Sequence, residues 1–465
     1  AAAGRHTPLT VCRGRCLPPK VPAAVSVPLA DPWACRSGPT CLEATLTVAL
    51  EITSARPDPA LFDLPWSVPL EDWPEHHLAA LPRGISRHIV RFVKISGGVL
   101  AVKEIKADIA AREFAMLRTL GRMDLPCVTP IGVVTGRVGH DGQPLDACLI
   151  TRHLQFSLPY RALYSQALRP DTATRLVDAL AVLLVTLHLD GFWWGDVSLS
   201  NTLFRRDAGA FAAYLVDAET GELHPQLSRG QREHDLEIAR VNIAGELMDL
   251  QAGGFLEERT DPVETATEIV RRYHSLWSEL TGVERFETGD RWRVDERIRR
   301  LNALGFDVGE LAMSTDIGGT TIQIQPKVVD AGHHSHRLLR LTGLDVEENQ
   351  ARRLLNDLDS FRAATDRLGD DEGVVAHDWL VNVYEPTVKA VPRELRGKLE
   401  AAEVFHEVLE HRWYLSERAG RDLPLADTIQ DYVRTVLPAK PDEQAILGID
   451  TRALPVLADP GSGPT

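Results

Sequence analysis

No uninterrupted apolar run in this 465-residue chain reaches the ~18 residues that a membrane-crossing helix requires. The longest candidate, Leu176 to Leu189, contains Asp178 and His188, so no membrane span is expected. Basic charge is also short: 51 Lys and Arg face 66 Asp and Glu, a net charge of −15. That balance opposes nonspecific binding to nucleic acid or anionic lipid, which depends on basic patches, and no nucleic-acid partner is expected. Methionine is scarce, and the first is Met116. Of the few cysteines, Cys12, Cys16, Cys35 and Cys41 crowd the start of the chain, while Cys127 and Cys148 lie further in. The spacing of the first four is loose for a zinc site, and no disulfide framework emerges. Residues 1–45 mix Pro, Ala, Arg and Cys without periodicity, which predicts a disordered extension. Their apolar residues are broken by prolines, unlike a secretory signal. A start at Met116 would remove residues needed below, so translation is expected to begin at a non-Met codon near Leu46 or Val48.

What is present is 44% hydrophobic residues, enough for sizeable cores in two or three domains. One stretch carries the chemistry: Gly195-Asp196-Val197-Ser198-Leu199-Ser200-Asn201, followed by Leu215-Val216-Asp217-Ala218-Glu219. Phosphoryl transfer asks for a carboxylate to orient the attacking hydroxyl, oxygen ligands for a metal, and positive charge on the phosphates. Asp196, Asn201 and Asp217, with Glu219 beside it, supply the first two. Upstream, Leu176, Val177, Leu180, Leu183, Leu184 and Leu187 repeat at the spacing of one buried helix face, which Gly191 ends. Downstream, Thr202-Leu203-Phe204 and Ala213-Tyr214-Leu215-Val216 read as paired strands turning at Asp207-Ala208-Gly209.

The positive charge is expected from Lys103, near the end of the apolar strand Val99-Leu100-Ala101-Val102-Lys103, which is entered from the turn Ser96-Gly97-Gly98. A helix over about 107–120 places Glu113 to pair with Lys103 and hold it in an active geometry. Glycine is scarce where phosphates would be covered: Leu81 to His88 holds only Gly84. Arg83, Ser86, Arg87 and His88 are candidate side-chain donors there, and an adenine would lie against the segment Leu149 to Leu154, including Thr151 and Leu154.

These residues resemble the kinase-like superfamily, in its bacterial branch near lipopolysaccharide kinases and aminoglycoside phosphotransferases. The resemblance covers about Leu78 to Leu250 and rests on Lys103, Glu113, Asp196 with Asn201, and Asp217 with Glu219. The whole chain also resembles an uncharacterised bacterial family that adds a helical C-terminal domain. By this resemblance Asp196 is the catalytic base, Asn201 and Asp217 hold magnesium, and Lys103 holds phosphate. The departures are informative. Trp194-Gly195 stands where protein kinases have His-Arg, and Ala218-Glu219 where they have Phe-Gly. No Ala-Pro-Glu closes an activation segment, and only 17 residues separate Asp217 from Asp235. That favours a small-molecule or glycan hydroxyl over a protein acceptor. Asp235 either starts the next helix and braces the catalytic loop, or is a plain helix-start acid.

Beyond residue 260 the chain changes character. Asp261-Pro262-Val263-Glu264 has the order of an N-cap, a first-turn proline and a capping-box acid. Ile269, Val270, Tyr273, Leu276, Trp277 and Leu280 continue as a helical stripe. Further helices are expected near 294–304, 346–367, 393–418 and 425–437, and Gly318 to Val329 suggests extended structure. Asp330 to Arg337 gathers His333, His334 and His336, which reads as a metal site, a phosphate contact or a polar loop opening a helix. Trp379, Trp413 and Tyr414 are expected to pack between helices.

The expectation is therefore an α+β chain with a bilobal protein-kinase-like fold, a small antiparallel β lobe plus a mainly helical lobe, and an additional mainly α C-terminal domain. The divisions are 46–154, 155–258 and 262–440, with a flexible tail at 441–465. The expected function is ATP- and Mg2+-dependent transfer of phosphate to a hydroxyl-bearing acceptor, in the cytoplasm. The alternatives are a catalytically weak kinase-like module presenting the C-terminal domain to a protein partner, and a protein Ser/Thr kinase.

Overall fold

The structure is a computed structural model that describes residues 50–55, 58–79, 88–95, 98–164, 170–256, 260–287, 290, 292–315 and 321–444. The expected extension at 1–45 with its four cysteines, the turn residues 96–97, the phosphate-loop candidates Arg83, Ser86 and Arg87, and the tail beyond 444 lie outside the described residues.

An antiparallel sheet forms first. Strands β1 (Glu51–Ser54), β2 (Ile89–Ile95), β3 (Gly98–Ile105), β4 (Pro130–Thr135) and β5 (Ala147–Arg152) pair in the order β1-β4-β5-β3-β2. Helix α1 (Ala107–Arg122) connects β3 to β4. The period-2 alternation of the strands divides their side chains between two faces. Val93, Leu100, Val102, Ile131, Val134, Cys148 and Ile150 point outward into a core completed by Leu61, Leu64, Trp66, Leu70 and Trp73 from a run of short 3-10 turns. On the other face the register pairs Val90 with Lys103, and Ala101 with both Phe92 and Thr151, so these five share one side of the sheet.

The second lobe begins with β6 (Leu158–Pro159), α2 (Tyr160–Tyr164) and α3 (Pro170–Leu189). Thr172–Leu189 is, among the described residues, the one helix long and apolar enough to cross a membrane. Its apolar residues Leu176, Val177, Leu180, Leu183, Leu184 and Leu187 pack into the lobe's core. Then come β7 (Phe192–Trp193), β8 (Thr202–Asp207), β9 (Ala210–Leu215), β10 (Glu222–Leu223), α4 (Arg229–Ala252) and α5 (Pro262–Thr281). The β8–β9 hairpin turns through Ala208 and Gly209, at φ of 49° and 82°, the left-handed pair a two-residue hairpin loop needs. Asp261 caps α5 by accepting hydrogen bonds from the Val263 and Glu264 amides. The core does not break at 258–262: Ala266, Ile269, Tyr273 and Leu280 of α5 share a cluster with α3 and α4, as do Leu301 and Phe306.

A three-stranded sheet in the order β11-β13-β12 follows, from β11 (Glu284–Glu287), β12 (Phe306–Thr315) and β13 (Thr321–Ala331), with α6 (Trp292–Ala303) between β11 and β12. The remainder is helical: α7 (His333–Thr342), α8 (Glu348–Ala364), α9 (Glu372–Trp379), α10 (Glu385–Lys389), α11 (Ala401–Ala419) and α12 (Leu425–Thr435). The helix expected from 393 begins only at Ala401, after a single 3-10 turn at Arg393–Leu395, because Gly397 disfavours helix continuation. Trp379 is buried in this module's core. Trp413 and Tyr414 are not packing residues; they lie more than half exposed, edge to face with ring centroids 4.9 Å apart. The three histidines sit on α7 and meet different carboxylates: His333 meets Asp307, His334 meets Glu348, and His336 meets Asp124. They do not converge.

Where the hairpin meets the helical module, acids are buried. Burial first of all, with Asp207, lifts Glu347 to about 7 against the pull of Arg205, and burial lifts Asp207 to about 6. The folded value of Glu347 lies above its ordinary 4.5, so the native chain binds this proton more tightly than the unfolded one. That contribution to stability is complete below about 4.5 and fades as pH rises through about 7. The urea midpoint is expected to fall between pH 5 and pH 8, more steeply in the parent than in Glu347→Gln. Equal slopes would contradict this.

Candidate active site

The loop 194–201 is fixed from both sides. Gly191 and Gly195, at φ of 78° and 74°, turn the chain where a Cβ would strike the His224 carbonyl at 2.1 Å and the Trp193 ring at 2.7 Å. From α4, the Asp235 carboxylate accepts hydrogen bonds from the Trp194 amide (2.9 Å) and the Gly195 amide (2.8 Å) and pairs with His188 Nε2 (3.1 Å). The bracing expected of Asp235 is realised, but its expected place at a helix start is not. The helix starts earlier, at Arg229, with Ser228 and Gln231 forming its capping box. Asp235→Ala removes the acceptor of the Trp194 and Gly195 amides and the partner of His188 Nε2, whose Nδ1 keeps the Tyr273 hydroxyl, and is expected to cost about 3 kcal/mol of unfolding free energy. A loss below about 1 kcal/mol in urea melts would contradict that bracing role.

Two further α4 side chains grip the loop. Glu246 accepts from the Leu199 amide (2.6 Å) and the Ser200 amide (3.0 Å). Asn242 Nδ2 donates to the Val197 carbonyl (3.1 Å) and lies 3.4 Å from Asp196 Oδ1. Sequence reasoning missed both. Their signal was their spacing from Asp235, seven and eleven residues on, along one helix face.

The metal-ligand candidates meet at the open end of the hairpin. Thr202 pairs with Leu215, and the Val216 amide donates to the Asn201 carbonyl (3.0 Å). Leu215 is also tied by backbone bonds to Pro126 and Val128. Asn201 Nδ2 donates to the Asp196 carbonyl (3.0 Å) and to Asp196 Oδ2 (3.1 Å), leaving Asn201 Oδ1 as its ligand atom. Lys103 arrives from the β lobe. Its Nζ lies 3.1 Å from Glu113, 2.6 Å from Asp217 and 3.4 Å from Glu219. Glu113 also accepts from the Ala218 amide, so one side chain of α1 joins the lysine to the chain after Asp217.

Burial alone would lower the Lys103 pKa, but the Glu113 and Asp217 charges outweigh it and raise it, keeping the ammonium protonated. Burial, then the Asp217 charge, push Glu113 up to about 7 against the pull of Lys103. Glu113, Asp217 and Glu219 offer oxygens within 4.8 Å of one another. Oxygen donors of this kind suit a hard divalent cation such as Mg2+. Lys103 Nζ touches all three carboxylates, so its ammonium and a cation would share these oxygens.

A cleft of about 460 Å³ opens over these groups, lined among others by His88, Asp196, Asn201, Asp217, Glu219 and Asn242. His88 Nε2 meets Glu219 at 3.1 Å. Thr151 and Leu154 are not part of this lining; Thr151 sits at the end of β5, on the sheet face that carries Lys103.

Residues 93–245 match the model of the lipopolysaccharide kinase (Kdo/WaaP) family. The module is kinase-like and resembles the lipopolysaccharide kinases. Residues 275–437 match a domain of unknown function, DUF4032. The comparison with curated proteins gave no match. Among solved structures, one described as "WaaP in complex with acyl carrier protein" is similar at 16% identity, over 48% of this chain and 89% of that one, with a TM-score of 0.31. The expected α+β class holds, with a kinase-like module followed by a mainly helical C-terminal region.

Proposed function

We propose that the chain is an ATP- and Mg2+-dependent phosphotransferase acting on a hydroxyl of a small molecule or glycan. The observation that carries this reading is the convergence at Lys103 Nζ. Glu113, and Asp217 from 114 residues away, both bond to it beside the Asp196 and Asn201 loop. In this reading Lys103 binds the α- and β-phosphates, and Glu113 keeps its ammonium oriented. Asp217, Asn201 and Glu219 would hold magnesium, which when bound offsets phosphate charge. Asp196 orients the acceptor hydroxyl and takes its proton on the carboxylate. Val90, Phe92 and Ala101 offer an apolar face for the base, with Thr151 on the same side of the sheet; Leu154 remains a proposed contact from the segment that follows. Arg83, Ser86 and Arg87 remain the proposed donors to the phosphates. An ATP requirement suits the cytoplasm, the location we infer.

A thermal-shift titration tests the reading, because a ligand of the native state raises the melting temperature by mass action. ATP with Mg2+ is expected to raise it, and ATP alone to raise it less. No shift at millimolar ATP with Mg2+ would favour a non-catalytic module instead.

A further inference from the structure

We propose that the helical module of α8 and α11 is a positioning element of the phosphotransfer site, acting through the β8–β9 hairpin. The inference rests on the phosphotransferase reading and assigns that module a task within it. The hairpin carries two of the three magnesium candidates at its open end: Asn201 immediately precedes β8, and Asp217 follows β9 by two residues. The third strand of its sheet, β6, pairs with β8 only at Leu203 and Phe204. The rest of the hairpin is a two-stranded ribbon, marginal by itself, so what grips its far end bears on how firmly those two side chains are held.

That far end is gripped by the helical module. Asp207, 2% exposed, accepts from the Gln350 amide (2.7 Å) and from Asn349 Nδ2 (2.8 Å). It thereby adds an acceptor for a donor in the first turn of α8, beside the Glu347 capping box, and places negative charge at that helix's N-terminus. Glu403 of α11 accepts from the Ala208 amide (2.9 Å) in the turn itself. Gln350 Nε2 bridges the Arg206 carbonyl and Glu403, both at 3.1 Å. Arg205 pairs with Glu347 (2.8 Å) and Glu400, and Arg206 pairs with Glu443. The Tyr214 hydroxyl donates to Glu347 (2.7 Å), tying β9 to the same anchor.

Polarity makes this contact consequential. An apolar interface could slide with small loss, but a buried carboxylate that loses its donors is left with the full desolvation penalty. The hairpin therefore has one register against α8 and α11. At the turn, Asp207 and Ala208 face the helical module. Withdrawing these anchors frees the hairpin tip, and its motion passes along β8 and β9 to the open end that carries Asn201 and Asp217.

Asp207→Ala and Asp207→Asn in the full chain test this, read by calorimetric binding of a nonhydrolysable ATP analogue across a Mg2+ series. Asp207→Ala is expected to raise the half-saturating Mg2+ concentration about tenfold, the scale of a lost outer-sphere support, while analogue binding without Mg2+ is unchanged. Asp207→Asn, which keeps an acceptor for the Gln350 amide, restores most of the parent's Mg2+ dependence. Hydrogen exchange at the amides of 202–215 should speed up in the alanine variant. A purely structural role would lower the melting temperature with Mg2+ dependence unaltered, and that result overturns the proposal. If Asp207→Ala does not fold, Glu403→Gln replaces it, with a smaller shift expected in the same direction and an unchanged Mg2+ requirement again overturning the proposal. A parent that binds no analogue at any Mg2+ concentration refutes the phosphotransferase reading itself, and this inference with it.

Discussion

Asp196→Ala is expected to slow phosphate transfer about a thousandfold, the middle of the range for removing a general base. ATP affinity should stay close to that of the parent. The asymmetry follows from the bonds around Asp196. Its side chain accepts from Asn201 Nδ2, but the same nitrogen also bonds the Asp196 backbone carbonyl at 3.0 Å, which alanine retains. Asn201 therefore keeps a tether, and the loop keeps its bonds to Asp235 and Glu246. Only the group proposed to meet the acceptor hydroxyl is removed. A variant turning over within about tenfold of the parent would mean that Asp196 is not the base.

Asp217→Ala acts on a different step. Removing this proposed direct ligand should weaken Mg–ATP binding on the order of 100-fold, the upper end of the effect of losing an outer-sphere partner. The fold is expected to persist, because Lys103 keeps Glu113 at 3.1 Å and Leu215 keeps its backbone bonds to Pro126 and Val128. The two variants thus separate chemistry from metal binding. Calorimetry showing equal Mg–ATP affinity in Asp217→Ala and the parent would remove Asp217 from the metal site.

The contrast between these residues and those found only in three dimensions has a physical reason. Asp196, Asn201 and Asp217 are legible because they lie on a short loop and hairpin framed by a periodic helix and a positive-φ glycine. Lys103 and Glu113 are legible because strand alternation and helix spacing fix which way each points. Asn242 and Glu246 are harder to see. They look like ordinary exposed-face residues of α4 until the loop they hold is folded against them. The capping by Ser228 likewise moves the start of α4 away from Asp235, whose carboxylate serves the loop rather than its own helix. The ties between Asp207 and α8 span 142 and 143 residues, and no local pattern marks them. The histidines on α7 show the reverse error: a cluster in the chain becomes three separate pairs once helical rotation spreads the side chains. Trp413 and Tyr414, large and apolar enough to suggest core, face outward.

The most direct measurement is a structure of the full chain with a nonhydrolysable ATP analogue and Mg2+. The account predicts a cation roughly 2.1 Å from oxygens of Asp217 and Asn201, the usual Mg2+ distance, with Lys103 Nζ on the α- or β-phosphate and the γ-phosphate facing Asp196. A nucleotide bound away from Lys103, or a cation with no oxygen of Asp217 in its coordination shell, would contradict it.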